Sequence, residues 1–180
     1  MKIKNAMIDI ETLSTDFKAV VLTLGAVKFD PFTKEISDPL YLKLSVDDQL
    51  EQGRITDERT LAWWGQQEES VRKEAFSEDG RVSVEEALNQ LDKWSHNTHR
   101  VWCQGPSFDF PIIYDLYKTY DREMPWKFWN QRDARTVTSL IPENIKQKIN
   151  FNAHNAIEDV YAQAKCVQYV YNKLGVCHTV

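Results

Sequence analysis

The chain has 180 residues, 42% of them hydrophobic and 27% charged, and its formal net charge is −5. This length suits one domain with a sizeable core, and we expect that domain to span residues 1–180. The negative net charge argues against a protein that coats long nucleic acids, and no apolar run approaches the ~20 residues that cross a bilayer.

The predicted elements begin with strands and continue with strands and helices in alternation. Val, Ile, Leu and Phe concentrate at residues 7–10 and 19–29, which predicts two strands joined by a polar turn. Residues 40–44 and 101–103 predict two more strands. Helices are predicted to begin at Asp57, Ser83 and Phe108, and a long one to cover residues 155–174 and end at Gly175. This order indicates an α/β domain with a mixed central sheet flanked by helices.

Cysteine usage and charge distribution add two expectations. The three cysteines, Cys103, Cys166 and Cys177, are scattered and odd in number, which suits a reducing cytoplasm better than a disulfide framework. With no signal peptide visible, we expect a soluble cytoplasmic protein without a membrane partner. Residues 1–117 hold 13 basic and 21 acidic side chains, whereas residues 118–148 hold 7 basic and 4 acidic. This local basic segment is compatible with gripping a short end of a polyanion.

The first candidate site is the sequence Asp9-Ile10-Glu11 at the end of the first strand. Alternate residues of a strand point to the same face, so both carboxylates project together. Two adjacent carboxylates repel each other unless cations neutralise them, and hard divalent ions are suited to oxygen ligands. The alternative is a solvated strand end, which is less plausible here because the pair follows the apolar run Ala6-Met7-Ile8.

Two further segments carry polar groups at helix starts. Asp109 follows a predicted buried strand and opens a helix, where it could cap the helix or bind a metal. His154 and Asp159 lie five residues apart around the predicted N-cap Asn155 of the last helix. Acidic residues favour a helix N-terminus through the helix dipole alone, and a histidine there is more often structural than catalytic. Each segment by itself is weak evidence for a catalytic site.

Taken together, the three segments resemble the DEDDh branch of the DnaQ-like 3′–5′ exonuclease superfamily. Asp-x-Glu ends a strand, Phe-Asp follows at a strand–helix junction, and His-x-x-x-x-Asp opens the last helix, so the likeness spans roughly residues 9–164. Residues 102–112 and 127–136, together with Trp63-Trp64, are also similar to bacteriophage members of this superfamily. The resemblance implies an RNase H-like fold. We therefore expect a phage-encoded or phage-derived protein, located in the host cytoplasm if phage-encoded.

The resemblance implies a two-metal hydrolysis that releases nucleoside monophosphates from a 3′ end. Asp9 would bridge both ions, Glu11 and Asp159 would bind the ion on the side of the attacking water, and Asp109 would act mainly on the other ion. His154 would be the general base, because an imidazole accepts protons near neutrality. Two Mg²⁺ or Mn²⁺ ions are favoured because an all-carboxylate site suits hard ions.

Substrate contacts are also implied by the resemblance. Thr12, Leu13 and Phe108 would contact the terminal nucleotide, with Leu13 wedged against its base, although Leu13 could equally belong to the core. Arg132 and Arg135 would line the approach to the site.

The roles of three further sets of residues have alternatives. Gln104 and Gly105 stand where many members of the superfamily carry His-Asn, which puts the contact to the penultimate nucleotide in doubt. Trp126, Phe128 and Trp129 could stack on bases, but hydrophobic packing is the safer interpretation for most of this cluster. Asp133 could pair with an arginine or face the substrate.

The expected partner is the 3′ end of single-stranded nucleic acid, with DNA as the expected substrate. An exoribonuclease that acts on RNA or short oligoribonucleotides is the alternative, since the two differ by contact to a single 2′ oxygen. A nucleic-acid-binding module with an inactive site is a second rival. That rival predicts the loss of a carboxylate, but all four carboxylates and the histidine are present.

Overall fold

The computed structural model describes residues 4–145, 149 and 154–177, and its centre is a six-stranded mixed sheet. The strand order is β4-β3-β2-β1-β5-β6. β2 runs antiparallel to both β1 and β3, whereas β5 and β6 continue the sheet parallel to β1, and β4 pairs parallel to β3. The strands are β1 Asn5–Thr12, β2 Val21–Phe29, β3 Ile36–Leu44, β4 Arg81–Val82, β5 Arg100–Cys103 and β6 Gln131–Asp133.

Seven α-helices lie within the described residues, and several begin at the caps that the sequence predicts. Asp57, Ser83 and Asn155 each accept a backbone N–H in the first turn of the helix they precede. A 3₁₀ turn covers Phe128–Asn130. The helices are α1 Val46–Glu51, α2 Glu58–Gly65, α3 Glu69–Phe76, α4 Val84–Ser95, α5 Asp109–Thr119, α6 Ala134–Thr138 and α7 Ala156–Lys173.

The two faces of the sheet pack against different helices. Ile8 and Ile10 of β1 point into a core shared with α4 and α5. Met7, at an odd-numbered position of the same strand, points into a second core shared with α7. This alternation places Asp9 and Glu11 on the α7 face, because successive side chains of a strand point to opposite faces.

The predicted α/β domain with a mixed sheet flanked by helices is confirmed. The third strand is longer than expected and contains Pro39, which a sheet tolerates where the strand has an open edge. β4 covers only two residues beside β3, so most of that edge is open among the described residues. No helix in the described part of the chain has the length and apolar character needed to cross a membrane.

Candidate active site

The site is built on the end of β1, where Asp9 and Glu11 share the face toward α7. Ile10 between them is 4% exposed and lies in the opposite core, as the alternation of the strand predicts. Glu11 is 9% exposed, so its carboxylate is largely removed from water. The alternative of a solvated strand end therefore does not describe this pair.

Gly25 allows α7 to approach this face. It is paired with Asp9 across the β1–β2 ladder. A Cβ atom at Gly25 would lie 2.2 Å from the carbonyl oxygen of Ala156 and 2.6 Å from the backbone nitrogen of Ile157. The first turn of α7 thus rests directly on the strand backbone, and its side chains reach the β1 carboxylates.

Asp159 and His154 enter the site from the start of α7. The Asp159 carboxylate accepts the backbone N–H of His154 at 2.9 Å. One carboxylate oxygen from each of Asp9, Glu11 and Asp159 lies within 4.8 Å of the other two. Three anionic oxygens at this spacing form a natural ligand set for a hard cation.

Asp109 is the fourth carboxylate, and it comes from the start of α5, whereas the other three come from β1 and α7. It is the first residue of α5 and is 4% exposed. The backbone N–H groups of Asp109 and Ile10 and the Cys103 thiol are the donor groups that act on its carboxylate and lower its pKa. Asp109 lines the same cavity as the other three acids but does not belong to the group of three within 4.8 Å.

Burial and mutual repulsion raise the pKa values of these acids. Burial is the largest cause at Asp9, whose pKa is raised well above its usual value, and the charges of Asp109 and Glu11 add to it. The pKa of Glu11 is raised to about 8 by burial and by Asp159 and Asp109. The pKa of Asp109 is raised to about 7 by burial, although its hydrogen bonds oppose the shift. Such a cluster favours protons or cations, because either relieves the repulsion.

All five predicted catalytic residues line one cavity of about 250 Å³. His154 has a backbone φ of +67°, a conformation that is uncommon outside glycine. Its ring meets the Trp63 ring edge to face, with centroids 4.7 Å apart. The fold therefore brings the histidine and the four carboxylates to one place from β1, α5 and the start of α7.

A second cavity of about 530 Å³ adjoins the first and shares Ile10, Glu11 and Phe108 with it. Thr12 lines this second cavity, as the predicted nucleotide contact requires. Leu13 lines neither cavity. It is 5% exposed and packs with Val20, Leu22 and Trp64, which favours the core role of the two alternatives, and its contact with substrate stays a prediction.

The two arginines lie outside these cavities. Arg132 donates to the carbonyl oxygens of Trp129 and Gln131. Arg135 donates to the Gln104 carbonyl at 3.0 Å and lines a neighbouring cavity of about 300 Å³. Asp133 caps α6 by accepting the Arg135 backbone N–H, so it is neither an ion pair buried in the core nor a residue of the active-site cavity.

The departure at Gln104 and Gly105 has a backbone explanation. Gly105 has a φ of +128°, which glycine adopts readily and asparagine does not. Gln104 lines the active-site cavity and also the cavity beside Arg135. An asparagine at position 105 would therefore be strained in this backbone conformation.

Sequence analysis missed two residues of the site, Gln163 and Gly25. Gln163 donates its amide N–H to Asp9 Oδ1 at 2.8 Å and is 7% exposed. Its spacing of four residues from Asp159 puts both on one face of α7 and could have revealed it. For Gly25, the signal was an isolated glycine inside a strand pattern, which often marks a close backbone approach.

A sequence model of the 3′-5′ exoribonuclease Rv2179c-like domain matches residues 4–171. The chain belongs to this family. The match includes all four carboxylates and the histidine of the cavity. Exodeoxyribonuclease of Enterobacteria phage T4 is 30% identical over 200 aligned residues, which cover 91% of this chain and 87% of the relative. This relative agrees with the expected likeness to bacteriophage enzymes, in particular exonuclease A of the T-even phages.

Solved structures of exonucleases share the fold of this family member. The zinc-bound E. coli exonuclease I–ssDNA complex has a TM-score of 0.71 and 14% identity, covering 96% of this chain and 41% of that one. Exonuclease X in complex with 5′ overhanging duplex DNA has a TM-score of 0.63 and 17% identity, covering 95% and 93%. The chain thus spans about two fifths of the exonuclease I chain.

These comparisons confirm the predicted RNase H-like fold and the prediction of an exonuclease of the DnaQ-like class. The family is described by activity on RNA, and the phage relative by activity on DNA. One structural neighbour holds zinc, and the acidic cluster of this chain is compatible with divalent metal ions.

Proposed function

We propose that this protein is a two-metal 3′–5′ exonuclease that acts on the 3′ end of single-stranded DNA and releases nucleoside monophosphates. The observation that carries the proposal is the group of Asp9, Glu11 and Asp159, whose oxygens lie within 4.8 Å of one another beside Asp109. Four acids in one buried cavity need protons or cations to relieve their repulsion, and a cation is the solution that also serves catalysis.

The donor set fits hard divalent ions. All four ligands would be carboxylates, and we propose Mg²⁺ or Mn²⁺ because zinc in proteins favours more His or Cys ligands. Asp9 would bridge two ions, Glu11 and Asp159 would complete one site, and Asp109 would serve the other. Two bound ions supply an activated water and neutralise the charge that develops on the leaving oxygen.

His154 is the proposed general base. It lines the cavity, and the Trp63 ring against its own ring limits the positions that the imidazole can take. The His154 backbone is tied to Asp159 by a hydrogen bond, so the base and a proposed metal ligand keep a fixed relation. An imidazole so held can take the proton of the attacking water.

The adjoining cavity of about 530 Å³ is the proposed binding site of the terminal nucleoside. It opens onto the carboxylates through Glu11, and Phe108 and Trp63 offer aromatic surface to a base. Thr12, Thr15 and Thr60 line it as well and can serve a sugar hydroxyl. A nucleoside here would present its 5′ phosphate to the metal site.

Replacing a proposed ligand by its isosteric amide tests this function. Asp9→Asn and Asp159→Asn should each abolish hydrolysis of a single-stranded oligonucleotide, because an amide cannot supply the charge that the ions need. Glu158→Gln is the matched control on α7, since Glu158 does not line the cavity. Melting temperatures establish that the variants are folded. Substantial activity in either folded ligand variant would refute the metal assignment.

RNA is the second candidate substrate, favoured by the description of the family as 3′-5′ exoribonucleases. The threonine-lined cavity is compatible with a 2′ hydroxyl as well as with deoxyribose. Matched DNA and RNA oligonucleotides of one sequence separate the two candidates. DNA is the preferred substrate if its kcat/KM exceeds that of RNA, and the reverse order assigns the protein to RNA.

A further inference from the structure

Two aromatic rings lie on the surface beside the outer strand of the sheet. Phe128 is 76% exposed and Trp129 is 61% exposed, and Phe128 is the most exposed large hydrophobic side chain in the described part of the chain. Their rings are perpendicular, with centroids 4.9 Å apart. Packing explains Trp126, which is 5% exposed, but it does not explain Phe128 and Trp129. An exposed aromatic pair of this kind often marks a binding surface.

The surroundings of the pair are positively charged in an acidic protein. Residues 124–135 hold three basic side chains and one acidic side chain, whereas the whole chain has a net charge of −5. The acidic member, Asp133, accepts the Arg135 backbone N–H and the Thr136 hydroxyl at the start of α6. We call Lys127, Phe128, Trp129, Arg132 and Arg135 the edge strip.

The edge strip leads to the active site. β6 is the outer strand on this side of the sheet, and its Asp133 is paired with Cys103, on which the charges of Asp109 and Asp9 act. Trp129 lies four residues upstream of Asp133, which places the aromatic pair roughly 10 Å from the catalytic end of the strand. A few nucleotides span such a distance.

Two arginines bridge the interval between the rings and the cavity. Arg132 donates to the Trp129 carbonyl at 2.8 Å. Arg135 donates to the carbonyl of Gln104, which lines the active-site cavity, and its positive charge acts on Asp109. Cations therefore accompany the whole path from the rings to the carboxylates.

A cavity of about 550 Å³ lies beneath Phe128, lined also by Tyr114, Lys118 and Trp126. The buried indole N–H of Trp126 has no acceptor among the described residues. The charged side chains of the lining are of both signs, and its aromatic rings suit a nucleobase; the charged residues are Lys118, Asp121, Arg122, Glu123 and Lys127. Its volume lies in the range of small-molecule sites, which run from ~300 to ~1,000 Å³.

We propose that the edge strip binds the single strand on the 5′ side of the terminal nucleotide, with bases stacked on Phe128 and Trp129 and phosphates held by Lys127, Arg132 and Arg135. This inference rests on the proposed exonuclease function and specifies its substrate as a strand several nucleotides long. Aromatic stacking tolerates any base sequence, so the strip would favour length over sequence.

The test compares the double variant Phe128→Ala/Trp129→Ala with the wild type on substrates of two lengths. A dinucleotide fits the catalytic cavities alone, and a 20-nucleotide single strand also reaches the edge strip. Each stacked ring contributes roughly 5- to 100-fold in affinity. The KM for the 20-mer should therefore rise at least ~10-fold, while kcat/KM for the dinucleotide stays within about twofold.

Two controls separate stacking from folding. Phe128→Tyr/Trp129→Phe keeps both rings and should retain the KM of the wild type for the 20-mer. Leu50→Ala removes an exposed apolar side chain on α1 and should change neither the KM for the 20-mer nor kcat/KM for the dinucleotide. An equal loss on both lengths, or no loss on either, overturns the proposal and indicates a packing role or a protein-binding role for the rings.

Binding without hydrolysis keeps this inference distinct from the proposed function. Fluorescence anisotropy of a labelled 20-mer is measured with the wild type and the double variant in chelator, where no cleavage is needed. Binding that weakens in the double variant supports the edge strip even if the protein hydrolyses nothing. Unchanged binding refutes the edge strip even if hydrolysis is robust.

Discussion

Four carboxylates and one histidine share a cavity of about 250 Å³, and hydrogen bonds hold Asp9, Asp159 and the His154 backbone. Gln163 donates to Asp9, and the His154 backbone donates to Asp159. Such supporting hydrogen bonds orient ligands, and their loss commonly weakens metal binding by ~10- to 100-fold. At the scale of residues, the site is thus prepared before any ion or substrate arrives.

His154→Asn separates catalysis from metal binding. Asparagine tolerates the positive φ of position 154 better than alanine, so the loop should be retained. If His154 is the general base, the single-turnover rate on a short single strand should fall by ~10²- to 10⁴-fold. Mn²⁺ affinity, measured by calorimetry, should change little because the four carboxylates remain. A variant with most of the wild-type rate would exclude the histidine from the chemistry.

The stability of the metal-free protein should depend on pH in a direction set by the acids. The folded pKa values of Glu11, about 8, and Asp109, about 7, are raised above those of the unfolded chain. The fold therefore keeps protons that the unfolded chain has lost, and this stabilisation disappears as pH rises from ~5 through ~8.

In chelator, the free energy of unfolding of the wild type should accordingly fall between pH 5 and pH 8.5, as measured by urea denaturation. Glu11→Gln should reduce the fall because it removes one of the titrating groups, and Mn²⁺ at pH 8.5 should restore stability to the wild type. A wild-type protein whose fall with pH matches that of Glu11→Gln would contradict a raised pKa at Glu11.

At the scale of elements, the packing of α7 against β2 decides whether the residues of the site come together. Asp9 and Glu11 come from one strand, whereas Asp159 and His154 come from a segment almost 150 residues later. The two halves meet because Gly25 has no side chain between β2 and the first turn of α7.

Gly25→Ala should separate these halves. The new Cβ atom would lie 2.2 Å from the Ala156 carbonyl, so α7 must move, at a cost of ~1–3 kcal/mol for overpacking. Mn²⁺ affinity and hydrolysis should both fall, by at least ~10-fold. Gly65→Ala is the matched control because nothing lies within 4 Å of its Cβ position. Normal Mn²⁺ affinity in Gly25→Ala would mean that this contact does not position the ligands.

The elements that the sequence predicts are those with local signals. The caps Asp57, Ser83 and Asn155 and the alternation in β1 depend on neighbouring residues, and all of them are confirmed. β6 has three residues and exists through its pairing with β5, so no local pattern could reveal it. The assembly of the site across Gly25 is likewise a long-range contact. The likeness to a known family, rather than the residues alone, made the site predictable.

At the scale of the whole molecule, the charge distribution matches the proposed task. The carboxylates lie at the end of the sheet where β1 terminates, and the basic edge strip follows β6 toward the same end. In this proposal the protein binds a polyanion beside an anionic site. The two would repel each other unless cations occupy that site. Metal dependence is therefore the property that, in this proposal, joins the carboxylates to the nucleic acid.

The most direct test of this account is the product pattern from a 5′-labelled single-stranded DNA, run beside RNA of the same sequence. With Mg²⁺ or Mn²⁺, the labelled strand should shorten one nucleotide at a time from its 3′ end and release nucleoside monophosphates. EDTA and Asp9→Asn should each stop the reaction. Cleavage that persists after exhaustive chelation, early release of the 5′ label, or intact DNA and RNA with every metal would contradict a two-metal 3′–5′ exonuclease.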